Sequence, residues 1–201
     1  MKKKQLHELC IFILSINFVV FSGCASKPKF KGKGDLCGLI IDENNKPVKD
    51  FVVYCQSDDA TLEFVKPVLT NESGLFVFYD IPSGSYLISG EKNNYQKISR
   101  VQYRFDDRTK ILCLQTKNFK AALLSVEELI KLGRTEDAEN LLNEICCESD
   151  SLENQLIQAC QFFVTDKARK KKTLISHLKK YKGKENEFIN EYAEKLEEVI
   201  K

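Results

Sequence analysis

The sequence predicts an α+β protein in two segregated domains: a seven-stranded antiparallel β-sandwich, then a bundle of about five α-helices. Three observations carry this expectation. Residues 35–117 alternate apolar and polar positions and are punctuated by turn residues. From residue 118 onwards the apolar spacing changes to that of a helix. The first 34 residues follow neither period and divide into a leader, 1–23, and a basic linker, 24–34.

The leader comes first. Lys2, Lys3 and Lys4 precede an apolar run from Leu9 to Phe21, broken only by Ser15 and Asn17, with Ser22 and Gly23 behind it. A basic start, a short apolar core and a small-residue exit make a secretory signal. The run falls short of the ~20 residues that span a bilayer. Its end, Phe21-Ser22-Gly23-Cys24, resembles the lipobox of bacterial lipoproteins, with Phe21 where leucine is usual. The resemblance implies cleavage before Cys24 and acylation of that cysteine, so Cys24 is the expected lipid-attachment residue. It also implies a bacterial cell-envelope location and membrane attachment through the N-terminal lipid, which two acyl chains make stable where one is marginal. Ala25 replaces the aspartate that retains some lipoproteins in the inner membrane, which leans towards the outer membrane in a diderm cell.

Charge narrows the partners. The chain has 31 Lys and Arg against 29 Asp and Glu; residues 1–23 hold Lys2, Lys3, Lys4 and Glu8, so 28 of each sign remain. A neutral, exported chain lacks the basic excess that nucleic-acid binding needs.

The sandwich strands follow in order. Leu36, Gly38 and Ile40 share one face of the first strand, "DENNKP" makes a turn, and Phe51, Val53 and Cys55 alternate along the second. Phe76 with Phe78, and Tyr86 with Ile88, repeat the scheme around a turn at Pro82 and Gly84. Further strands are expected at 61–70, 98–105 and 110–115. Gly38, Ile40, Asp42, Pro47, Val53, Gly74, Phe76, Phe78, Ile81, Pro82, Gly84 and Tyr86 together resemble the carboxypeptidase regulatory-like domain, a transthyretin-like sandwich. The resemblance implies a carbohydrate-binding-like fold and a non-catalytic attachment or interaction module. Asp50-Phe51 departs from it, where a Gly-Ala pair is usual. The other face of the first strand, Cys37, Leu39 and Ile41, is also apolar. A solvated face should be polar, so either the helical segment covers it or these residues reflect β-propensity on a half-exposed strand.

The helices follow. Phe119, Ala122, Leu123, Val126, Leu129 and Ile130 share a face that Gly133 ends. Thr135 is placed to cap a second helix with Ala138, Leu141, Leu142 and Ile145 inward, and Asp150 with Glu153 to box a third with Leu152, Leu156, Ala159, Cys160 and Phe163. A fourth is expected at 167–181 and a fifth from Asn186. The stretch "LIKLGRTEDAENLLNEI", with Gly133, Ala138, Leu142 and Ile145, resembles one tetratricopeptide-type unit. No second unit recurs 34 residues on, where Lys167 and Lys172 stand in place of the Gly and Ala. Lys167–Lys184 holds nine basic residues and no acidic one, and Glu185–Lys201 six Glu against two Lys. Either two helices pair these faces, or the basic face meets an anionic surface.

No reaction chemistry emerges, so the sequence predicts a non-enzyme without cofactor or metal. No C-x-x-C pair exists to hold zinc. His177, the only histidine after Cys24, sits among lysines with no carboxylate to orient it. Cys37, Cys55 and Cys113 lie in apolar strand patterns and read as small core residues, while their disulfide state and that of Cys146, Cys147 and Cys160 stays open. The expected role is a protein-interaction scaffold with an envelope protein as partner. The alternative is glycan binding on tyrosines outside the core, Tyr54, Tyr79, Tyr95 and Tyr103.

Overall fold

The computed structural model describes residues 30–58, 65–165 and 187–200, and Lys31–Lys201 form one compact unit. The leader, the lipid cysteine, most of the linker and the helix expected at 167–181 lie outside the described residues.

Nine strands are present among them: β1 (Lys33–Ile41), β2 (Val52–Ser57), β3 (Val68–Leu69), β4 (Leu75–Pro82), β5 (Gly84–Glu91), β6 (Tyr95–Gln96), β7 (Ile98–Phe105), β8 (Leu112–Gln115) and β9 (Ile145–Cys146). They form a three-stranded sheet, β4-β1-β8, a four-stranded sheet, β3-β2-β5-β7, and the pair β6-β9. The first two are the layers of a β-sandwich. Their inward faces bury Leu36, Ile40, Phe76 and Phe78 on one side and Val53, Cys55, Tyr86 and Ile88 on the other. Burying such side chains contributes ~1.5–3 kcal/mol each relative to exposure.

The two layers hold seven strands, and β6 and β9, a separate pair too short to show alternation, bring the described total to nine. One expectation needs correction. The sandwich is not wholly antiparallel, since β8 runs parallel to β1, with Leu39 beside Cys113 and Ile40 beside Leu114. The chain reaches β8 by crossing from β7 in the other sheet. A tight hairpin forces antiparallel pairing, but a crossover does not.

The turns form as their residues dictate. Asp42 Oδ1 accepts from the N–H groups of Asn44 and Lys46, both at 2.8 Å. Asn71 Oδ1 does the same for Ser73 at 2.9 Å and Leu75 at 3.0 Å. Such side-chain turns satisfy backbone donors that no strand partner reaches. Buried Thr70 ties β3 back to the second strand, accepting from the Phe51 N–H (2.9 Å) and donating to the Val48 carbonyl (2.6 Å). Tyr86 is buried, and its hydroxyl donates to the Pro82 carbonyl at 2.6 Å. At the departure noted above, Asp50 adopts φ 52°, the left-handed region that favours glycine.

The described helices number four, α1 (Phe119–Lys131), α2 (Thr135–Glu144), α3 (Leu152–Thr165) and α4 (Glu187–Ile200). Gly133 ends α1 as expected: at φ 73° it donates to the Ile130 carbonyl, and Arg134 N–H reaches the Leu129 carbonyl, both at 2.9 Å. Two caps differ from expectation. Thr135 is already the first residue of α2, behind a cap position, Arg134, that makes no side-chain cap bond. For α3, Ser151 Oγ accepts from the Asn154 N–H at 3.1 Å, so Ser151 caps where Asp150 was expected. Leu123, Val126, Ala138, Leu142, Leu156, Cys160, Ile189 and Tyr192 make the helical core.

Among the described residues, the helical segment does not bury Cys37, Leu39 and Ile41. All three are half-buried, and Leu75 and Cys113, the cross-strand neighbours of Leu39, are exposed. It docks instead on the loop after β5. Asn94 N–H donates to the Cys146 carbonyl (2.7 Å), Gln96 N–H to Lys117 (2.8 Å), Lys97 N–H to Glu144 (2.7 Å), and Phe119 N–H to the Asn94 carbonyl (2.8 Å). β6 pairs with β9 in the same place. Asn94 and Lys97 therefore find their backbone partners in the helical segment, and Gln96 finds its own in Lys117 at the junction.

Candidate functional site

The docking leaves a cleft of about 620 Å³ between the two parts. Asp50 and Val52 at the start of β2, Glu91 to Asn93 after β5, and Lys97 form one wall; Ile145, Cys146, Cys147 and Asn154 form the other. A smaller hollow of about 290 Å³ continues from Glu91 and Lys97 over the outer face of the four-stranded sheet, past Tyr54, Ser89, Ser99 and Arg100. These volumes are in or near the size range of ligand sites.

Glu91 is the shared centre. It accepts from the Tyr54 hydroxyl at 3.0 Å, and Lys97 Nζ lies 3.7 Å from its other oxygen. The hydrogen bond to Glu91 holds the Tyr54 phenol above its usual range, with burial adding to it. Asn93 Nδ2 donates to Glu148 at 3.1 Å and Gln96 Nε2 to Glu144 at 3.0 Å, which fixes the loop under the cleft. Lys92 Nζ sits 5.3 Å from the Tyr95 ring centroid, a cation–π distance.

Both cysteines here are poor nucleophiles. Burial raises the Cys146 thiol despite the opposing charge of Lys97, and burial raises Cys147 to about 12. A thiol held above its usual range is protonated near neutral pH and does not attack. Among the described residues no three His, Cys, Asp or Glu gather as a metal site. The arrangement can bind through mixed charges, amides and one phenol.

The tyrosines read from sequence do not converge. Tyr54 lines the smaller hollow, Tyr79 is 73% exposed on the other sheet, Tyr95 packs edge-on against Phe51 at 6.4 Å, and Tyr103 is paired with buried Tyr86. Sequence reasoning missed Glu91, Lys97 and Cys146. No local pattern marks them, because the cleft exists only once β9 pairs with β6.

No protein-family model matches the chain, and no curated protein matches it. Solved structures resemble part of it. A Streptococcal ancillary pilin is 12% identical, covering 44% of this chain and 30% of that one, at TM-score 0.38. The TIE protein of Bacillus anthracis is 18% identical, covering 43% and 17%, at TM-score 0.35. The 5-hydroxyisourate hydrolase of Klebsiella pneumoniae is 17% identical, covering 45% and 90%, at TM-score 0.32. This chain thus spans less than a third of the first two. At such scores, with pilins and an enzyme alike among them, these likenesses carry no argument about activity. The sandwich rests on its own strand order.

Proposed function

We propose that this chain is a lipid-anchored envelope protein whose sandwich and helical segment together form a non-catalytic interaction scaffold. The observation that carries the scaffold reading is the junction itself: backbone bonds from residues 94–97 and 117–119 join both parts into one unit. Such a unit offers a surface that neither part has alone. The Gly133 turn and buried Ala138 and Leu142 support the tetratricopeptide-like reading of α1–α2. The buried positions Ile40, Phe76, Phe78, Ile81 and Tyr86 support the carboxypeptidase regulatory-like reading. An envelope protein remains the proposed partner. Glycan binding is the weaker reading, because the four tyrosines do not form one aromatic platform.

The anchor is tested by Cys24→Ser in the full chain. The substitution is expected to abolish palmitate labelling and leave an uncleaved precursor. Unchanged labelling overturns the lipoprotein reading. Co-purification from the envelope with Glu91→Lys against wild type then tests the cleft: a partner lost in the variant supports the scaffold, and an unchanged set of partners places the interaction elsewhere.

A further inference from the structure

Among the described residues, no element buries the outer face of the three-stranded sheet. Its outward positions include Cys37, Leu39 and Ile41 on β1, Leu75, Val77 and Tyr79 on β4, and Cys113 on β8, an uncharged stretch bounded by Lys33 and Asp35 at the start of β1 and by Gln115 at the end of β8. Leu75 is 40% exposed, Tyr79 73%, and Ile111, directly ahead of β8, 62%. Solvated sheet faces alternate to polar residues, and contiguous apolar patches mark interaction surfaces.

We propose that this face rests on the bilayer to which the chain is tethered, an inference built on the lipoprotein reading above. Three observations select a lipid surface as occupant. The tether enters the fold on this sheet: Cys24 lies nine residues before Lys33, the first residue of β1, so the acyl group stands within ~30 Å of the patch's own strand. That tether carries Lys27, Lys29, Lys31 and Lys33 with no acidic residue among them, a basic segment suited to anionic headgroups. The patch is also small. Three strands about 4.8 Å apart and about five residues long cover on the order of 250 Å², well under the ~800 Å² that each partner buries in a stable protein complex. A weak surface suffices once a tether holds it at high effective concentration. The acyl chains provide attachment, and the face sets orientation. Tyr79, apolar in its ring and polar at its tip, suits the interface between headgroups and acyl chains.

Cys113 is exposed on the edge strand of this face, beside Leu39, and serves as a native probe. The mature protein is inserted into preformed vesicles of phosphatidylethanolamine and phosphatidylglycerol, and the rate at which a water-soluble maleimide modifies Cys113 is read by mass spectrometry. Wild type is compared with Tyr79→Glu and Leu75→Glu. The expected result is Cys113 modified about tenfold faster in the variants, since anionic lipid repels the new carboxylate and the face lifts. A glutamate beside a thiol slows its reaction otherwise, so acceleration reports exposure. Equal rates in an acylated protein overturn the docking and leave the lipoprotein reading standing. Absence of acyl mass on the N-terminal peptide overturns the lipoprotein reading and the docking with it. Buried Cys55 and Cys160 report unfolding. If Leu75→Glu makes them reactive, Tyr79→Glu decides alone.

Discussion

Asp50 and Phe51 show how one local departure is absorbed. Where the pattern it resembles has Gly-Ala, Asp50 takes a left-handed conformation at φ 52°, at a backbone cost of ~1–2 kcal/mol that short polar residues tolerate best. Phe51 is fully buried. Its ring finds space because position 90 is glycine. A Cβ there would lie 2.6 Å from the Val52 carbonyl oxygen and 2.7 Å from the Phe51 ring. Gly90→Ala is therefore expected to destabilise by about 1–3 kcal/mol, as overpacking does, and Phe51→Ala by about 3–5 kcal/mol through the cavity it leaves. Urea denaturation measures both. If Gly90→Ala leaves the midpoint unchanged, Phe51 is not packed as described. The departure at 50–51 was legible in the sequence, but its compensation was not. Nothing local couples residues 51 and 90; the β2–β5 register does, placing Val52 opposite Glu91 and Val53 opposite Gly90.

At the scale of elements, long periodic segments were legible and short paired ones were not. β7 spans Ile98–Phe105, as the alternation predicts, and α1 runs from Phe119 to a glycine stop. β6 and β9 have two residues each, and their existence depends on a partner fifty residues away. The link between the parts, Asn118, sits between these cases. Its side-chain oxygen caps α1 by accepting from the Ala121 N–H at 3.0 Å, while its own N–H and side-chain amide donate to the two oxygens of Glu43 at 3.0 and 2.5 Å. One residue thus starts the helix and ties it to the first sandwich turn. Asn118→Ala is expected to cost about 1–2 kcal/mol from the cap alone. A double-mutant cycle with Glu43→Ala isolates the tie, with an expected coupling of about 0.5–3 kcal/mol. Strict additivity would mean that Glu43 does not hold the helix start.

At the scale of the whole molecule, the central claim is that sandwich and helical segment stabilise each other and present one surface. The sequence drew attention to an apolar outer face on β1 and left two explanations for it; among the described residues the helices do not bury it. The helical segment instead bonds to Asn94 and Lys97, in a polar loop with no apolar pattern to advertise it. A sandwich deprived of the helical segment loses the partners of the Asn94 and Lys97 N–H groups and uncovers Tyr95, which packs on Phe51. The most direct measurement is the melting temperature of residues 31–117 alone against residues 31–201, followed by circular dichroism with an apolar-surface dye present. The fragment is expected to melt several degrees lower and to bind dye. A fragment that keeps the melting temperature of the longer chain and binds no dye would contradict the central claim.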